Sequence, residues 1–244
     1  MKKNTMMRVA SALLVAVLLS TCAISGTFAK YVTTADVSDT ARVAKWGVSV
    51  TAAGSLFETK YANDGTIEKD KAGDDIAFTV VSSGSDDVVA PGTAKENGLA
   101  FSITGTPEVA VNIDFNITNV KDVVLPQGTY LDYTTGNNAT DEFTLNKDYN
   151  PIVYILKKGD TKVAEGTLSA IGTYLDSIEG NYAANTNLTT TFGNYTLSWS
   201  WAFGDAANNQ ADTFLGQLAA GVATATGAST TAGATIEITV AQID

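Results

Sequence analysis

Alternation of apolar and polar residues is the dominant pattern along most of the chain. Val109, Val111, Ile113, Phe115 and Ile117 fall on one side of an extended segment, and Ala110, Asn112, Asp114, Asn116 and Thr118 fall on the other. Successive side chains of a strand point to opposite faces, so this segment predicts a strand with one wet face. The same period runs through Trp46, Val48 and Val50, through Ile76, Phe78 and Val80, through Leu99, Phe101 and Ile103, and through Ile236, Ile238 and Val240. One-sided apolar strands of this kind belong to antiparallel sheets. Ile152 to Leu156 is apolar without interruption, which predicts a strand covered on both faces. Lys157-Lys158-Gly159-Asp160 then turns the chain into a second strand at Lys162-Val163-Ala164.

Two stretches depart from period two. Leu168, Ile171, Leu175 and Ile178 stand at helical spacing, with Thr167 placed to cap the start and Gly180 the end. Phe214, Leu215 and Leu218 share a face of a second helix, expected over residues 211–218. Residues 219–233 are almost wholly Ala, Gly, Thr and Ser, the composition of a surface loop before a last strand. Between the strands lie Ala62-Asn63-Asp64-Gly65, Ser83-Gly84-Ser85-Asp86, Ala90-Pro91-Gly92 and Gly136-Asn137-Asn138, all turn formers. The expected fold class is all-β: an antiparallel β-sandwich with one or two short helices in its loops.

The N-terminus has a different composition. Lys2, Lys3 and Arg8 precede an apolar run from Val9 to Leu19, and small residues follow up to Ala29, the layout of a secretory signal. That run is about half of the roughly 20 residues a membrane-spanning helix needs, so no permanent membrane anchor is expected. Cleavage by signal peptidase is expected after Ala29, with Thr27 three positions back; Ala23 is a second candidate. Leu19-Ser20-Thr21-Cys22 approaches a lipid-attachment site, but Thr21 stands where a smaller residue is usual. Residues 30–244 then form a single expected β domain, large enough for a sizeable core.

Charge and missing residue types narrow the chemistry. The net charge is −11, and removal of residues 1–29 takes three basic residues and no acidic one, leaving 12 against 26 and a net charge of −14. Nucleic acid and anionic membranes are poor partners for such a surface. Cys22, the only cysteine, lies in the signal, and the sequence contains no histidine. Zincin helices, Ser-His-Asp triads and Cys-His pairs are thereby excluded from the secreted form, which is not expected to be an enzyme.

Three sets of residues invite a functional reading. Leu197, Trp199, Trp201 and Phe203 point the same way, and paired tryptophans on one strand can stack sugar rings; core burial is the favoured reading, as it is for Trp46. Asp74-Asp75, Asp86-Asp87, Asp36 with Asp39, and Asp205 with Asn208 and Asp212 are acidic groups that can bind calcium. None follows an EF-hand spacing, and solvated surface is the favoured reading. A carboxylate pair for glycoside hydrolysis requires a separation of about 5 to 9 Å that no sequence supplies. Asn116, Asn138, Asn187 and Asn194 begin Asn-x-Ser/Thr triplets, which acquire meaning only in a glycosylating host.

A family resemblance is carried by Gly26-Thr27-Phe28-Ala29-Lys30-Tyr31 and by Ala41-Arg42-Val43-Ala44-Lys45-Trp46-Gly47-Val48. Ala90-Pro91-Gly92-Thr93, Gly105-Thr106-Pro107-Glu108-Val109, Trp199 to Phe203, Ala211 to Gly216 and the closing Ile238 to Asp244 extend it over nearly the whole chain. In these segments the chain resembles the TasA and camelysin family, exported proteins of Gram-positive bacteria with a SipW-dependent type of signal peptide. The resemblance implies a jelly-roll-like sandwich and assembly into matrix fibres with copies of itself or related matrix subunits. In such fibres a freed N-terminal segment adds a strand to the next subunit. Tyr31, Thr33, Ala35 and Val37 are the expected inward face of that donor strand, within residues 30–40. Camelysin-like members have also been described as metalloproteases, an expectation that the missing histidine and cysteine ligands oppose. Any metal would sit among carboxylates and carbonyls, which suits calcium better than catalytic zinc.

Overall fold

The computed structural model describes residues 42–62, 68–69, 75–76, 79–136, 140–203 and 206–243. The chain separates into two units, Met1–Lys45 and Trp46–Asp244, and the architecture below is that of the second. In chain order its elements are β1 (Val48–Gly54), β2 (Lys60–Ala62), β3 (Glu68–Lys69), β4 (Asp75–Ile76), β5 (Thr79–Val81), β6 (Ala94–Gly105), β7 (Val111–Lys121), β8 (Gly128–Leu131) and β9 (Glu142–Leu145). They continue with β10 (Val153–Lys158), β11 (Thr161–Gly166), α1 (Leu168–Ile178), β12 (Gly180–Tyr182), α2 (Leu188–Thr191), β13 (Gly193–Ser200), α3 (Ala206–Ala219) and β14 (Gly233–Gln242). The described part is thus mostly strand, with a few helices.

Every pairing is antiparallel. A five-stranded sheet runs β1-β6-β13-β10-β11, and a three-stranded sheet runs β12-β7-β14; three two-stranded ribbons complete the set, and none of the sheets closes on itself. The alternation in β7 is realised: Val111, Ile113 and Phe115 are buried while Asp114 and Asn116 are exposed. Phe101 of β6 lies stacked on Tyr195 of β13, centroids 5.1 Å apart, and meets Phe115 of β7 at 6.3 Å. Through these rings the apolar faces of the two larger sheets share one core.

The helices close the core's margins. Thr167 accepts a hydrogen bond from the Ala170 amide and starts α1, whose Leu168, Ile171 and Leu175 are fully buried. Its last turn ends at Glu179, so Gly180 opens β12 and does not cap the helix. On α3, Phe214 packs among Tyr130 of β8, Tyr133 and Phe143 of β9, with centroids between 4.8 and 6.3 Å. α3 starts earlier than its apolar spacing predicts, and α2 is a third, four-residue helix capped by Asn187.

Three core expectations need correction. Ile152, Tyr154 and Leu156 are buried, but Val153 is exposed, so β10 is covered on one face only. Phe203 does not extend the tryptophan face inward: β13 ends at Ser200, and Phe203 is 41% exposed. Trp46 and Val50 are exposed as well, because β1 is the end strand of its sheet and nothing described covers its inner side.

A candidate assembly edge

Local chemistry fixes β1 firmly along one side only. All seven of its residues pair with β6, from Val48 opposite Gly105 to Gly54 opposite Leu99, without a register shift. Glycines clamp both ends of the pair. Gly54 has φ +97°, and a Cβ there would lie 2.2 Å from the Gly98 carbonyl oxygen; Gly105 has φ +115°, and a Cβ there would lie 1.8 Å from the Gly47 oxygen. Only glycine permits both the backbone angle and the approach. Thr51 and Ser102 hydroxyls hydrogen-bond across the outer face at 2.8 Å.

The chain leaving β1 is anchored over Trp199. The indole Nε1 donates to the Leu56 carbonyl at 2.5 Å, Phe57 lies tilted on the ring at 5.5 Å, and Tyr61 meets it edge-on at 5.6 Å. The Glu58 amide donates to the Tyr61 hydroxyl at 2.7 Å, and Glu58 pairs with Lys95 of β6. Burial, then the Asp87 carboxylate, pushes the Tyr61 hydroxyl up to about 12.

Among the described residues the other side of β1 is open. No described residue pairs with it, so one row of backbone donors and acceptors is left for another strand. Its sequence, Val-Ser-Val-Thr-Ala-Ala-Gly, contains no charge and no proline, the usual devices by which an edge is guarded. Val50 and Ala52 stand opposite the buried Ile103 and Phe101 and share their face, yet both are exposed. The core therefore has an uncovered shelf along this margin. β14, the end strand of the smaller sheet, is also long, but it carries Glu237 and keeps Ile236, Ile238 and Val240 half-buried.

The residues expected to act from sequence are placed unequally. Ala29, Tyr31, Thr33, Ala35 and Val37, with Asp36, Asp39, Asp74 and Asp205, lie outside the described residues. Trp199 and Trp201 are 2% and 5% exposed, so they form no solvent-facing row for a sugar. Asp86 and Asp87 are exposed, whereas Asp212, expected on solvated surface, is buried. Its Oδ1 accepts from the Tyr149 hydroxyl at 2.7 Å and from Trp201 Nε1 at 3.1 Å. Burial raises its pKa above the ordinary carboxylate value, against the pull of those two donors. Helical spacing carried the signal, since Ala211, Asp212 and Leu215 fall on one buried face of α3.

Histidine is absent from the sequence, Cys22 is the only cysteine, and no three acidic side chains are grouped as metal ligands among the described residues. Among those residues no helix is long and apolar enough to cross a membrane. Compared with protein-family models, with curated proteins and with solved structures, the chain matches none.

Proposed function

We propose that this chain is an exported structural protein of the cell surface or extracellular matrix, a subunit or accessory of a fibre that grows by strand addition. The observation that carries the reading is the edge of β1, uncharged and unpaired among the described residues, with its exposed shelf of Val50 and Ala52. A strand laid along this edge would gain main-chain hydrogen bonds, and its alternate side chains would extend the inner face. Tyr31, Thr33, Ala35 and Val37 have that spacing and follow the proposed cleavage site at Ala29. In this reading the two larger sheets are the halves of a jelly-roll-like sandwich, as the TasA and camelysin resemblance implies. The partners are copies of the chain or related matrix subunits.

Catalysis is the weaker reading because neither imidazole nor thiol remains after export. Deleting residues 30–40 from the mature protein is expected to leave a folded monomer that no longer forms fibres in electron micrographs. Fibres that persist would refute the donor assignment, and chelator-sensitive cleavage of casein by the intact protein would refute the structural role.

A further inference from the structure

Asp212 ties α3 to the rest of the sandwich through one oxygen only. The residue is 7% exposed, and its Oδ1 accepts from the Tyr149 hydroxyl and from Trp201 Nε1. Both donors are fixed by their own backbone. Tyr149 exchanges main-chain hydrogen bonds with Leu125 at 2.8 and 3.0 Å; the Trp201 amide donates to the Thr93 carbonyl at 2.8 Å, and its carbonyl accepts from the Gly92 amide at 2.7 Å. Neither can follow the helix if it shifts. Oδ2 is shut away from solvent and accepts no hydrogen bond. Burying an ionised carboxyl with one oxygen unserved costs far more than burying the neutral acid, so this packing suits the protonated form.

We propose that Asp212 is a proton-operated latch on α3: as a neutral acid it holds the helix to Tyr149 and Trp201, and its ionisation loosens the helix. A neighbouring cation would cancel the effect, but among the described residues no lysine or arginine lines either side of Asp212. Around it stand Trp201 after β13, Tyr149 before β10, Tyr133 after β8, and Asn209 and Thr213 of α3. Only the two tyrosines among these are titratable, and neither form of a tyrosine is positive. The packing on the other side, with Val123, Leu215 and Thr230, adds no titratable group. Asp132, near Tyr133, is engaged elsewhere: Thr134 and Gln210 donate to it and hold its carboxyl below the ordinary value. Burial, against the pull of Tyr149 and Trp201, raises the Asp212 carboxyl above the ordinary value. The docked helix therefore binds the proton more tightly than a released helix, whose side chain is in water. By linkage, this contribution to docking is fully present below the ordinary carboxylate value and is lost as pH rises through the raised one. Phe214, packed against Tyr130, Tyr133 and Phe143, anchors the same helix without regard to pH, so the change is a loosening and not a loss.

The test is amide hydrogen exchange of the full chain between about pH 4 and pH 8, with the opening constant of each segment corrected for the intrinsic exchange rate at each pH. Opening of α3 is expected to rise several-fold across that range. Asp212→Asn keeps the acceptor Oδ1 and mimics the neutral acid, so opening of α3 in this variant should not change with pH. The response of α1 serves as a control: Asp122, also raised by burial, accepts from the Leu168 amide there and should behave as in the parent. Tyr149→Phe removes a donor that favours the anion and should make the rise in α3 steeper. Opening of α3 that is independent of pH, that falls as pH rises, or that rises equally in Asp212→Asn would overturn the proposal, as would a Tyr149→Phe variant with a shallower rise than the parent.

Discussion

At one end of the five-stranded sheet, β11 carries Lys162 and Glu165, which pair with each other, and is bulged at Val163, which is skipped where its register with β10 shifts between Leu156 and Lys157. The chain then passes directly into α1, which packs back against β11. At the other end, β1 has no charge, no bulge and no covering element among the described residues. Both are end strands of the same antiparallel sheet, with no described strand paired to their outer sides. Side chains make the difference. An edge guarded by charge and irregularity resists pairing, whereas a flat neutral one invites it. A sheet with one edge of each kind can extend in one direction only, as a linear assembly requires.

That contrast can be broken from the core side first. Trp199→Ala removes the ring on which Leu56, Phe57 and Tyr61 rest, and is expected to cost about 3–5 kcal/mol in urea unfolding. Loss of assembly should accompany it, because the segment that follows β1 loses its anchor. Gly105→Ala is a narrower attack on the same frame. The added Cβ collides with the Gly47 oxygen at a positive φ, so a loss of about 1–3 kcal/mol is expected, with faster amide exchange concentrated in β1.

Substitutions on the edges themselves should separate assembly from stability. Val50→Lys and Ala52→Lys place a charge on an already exposed shelf, so unfolding free energy should stay within about 0.5 kcal/mol of the parent. The critical concentration for assembly, read by light scattering, should rise by about tenfold or more, which corresponds to only 1.4 kcal/mol. The smallest effect on stability is expected at the guarded edge. The Lys162 and Glu165 side chains are about half exposed, so replacing both with valine should change unfolding by less than about 0.5 kcal/mol. Such a variant should nonetheless gain branched or irregular association. If it stays as linear as the parent, charge is not what protects β11.

Much of this was legible in the sequence, and the misses share a cause. Period two located β6, β7, β13 and β14, and Thr167 with its apolar spacing located α1, because burial on one side dictates residue type at each position. Trp46, Val50 and Phe203 were misplaced because periodicity reports which face a residue shares, not whether anything covers that face. Val50 sits on the core side of the sheet and is still 40% exposed. Strand order decides this, and order depends on long-range pairing such as β1 with β6 across some fifty residues. Asp212 was missed for the opposite reason. Its type pointed to solvent, while its donors, Tyr149 and Trp201, come from other parts of the chain.

The central claim is that assembly proceeds through the open side of β1. Hydrogen–deuterium exchange of fibres against monomer tests it directly, since pairing along that edge must bury the outward amides of the strand. The account predicts strong new protection within residues 48–54 and little change within residues 161–166. Equal exchange of β1 amides in both states, or new protection confined to β11 or β14, would contradict it.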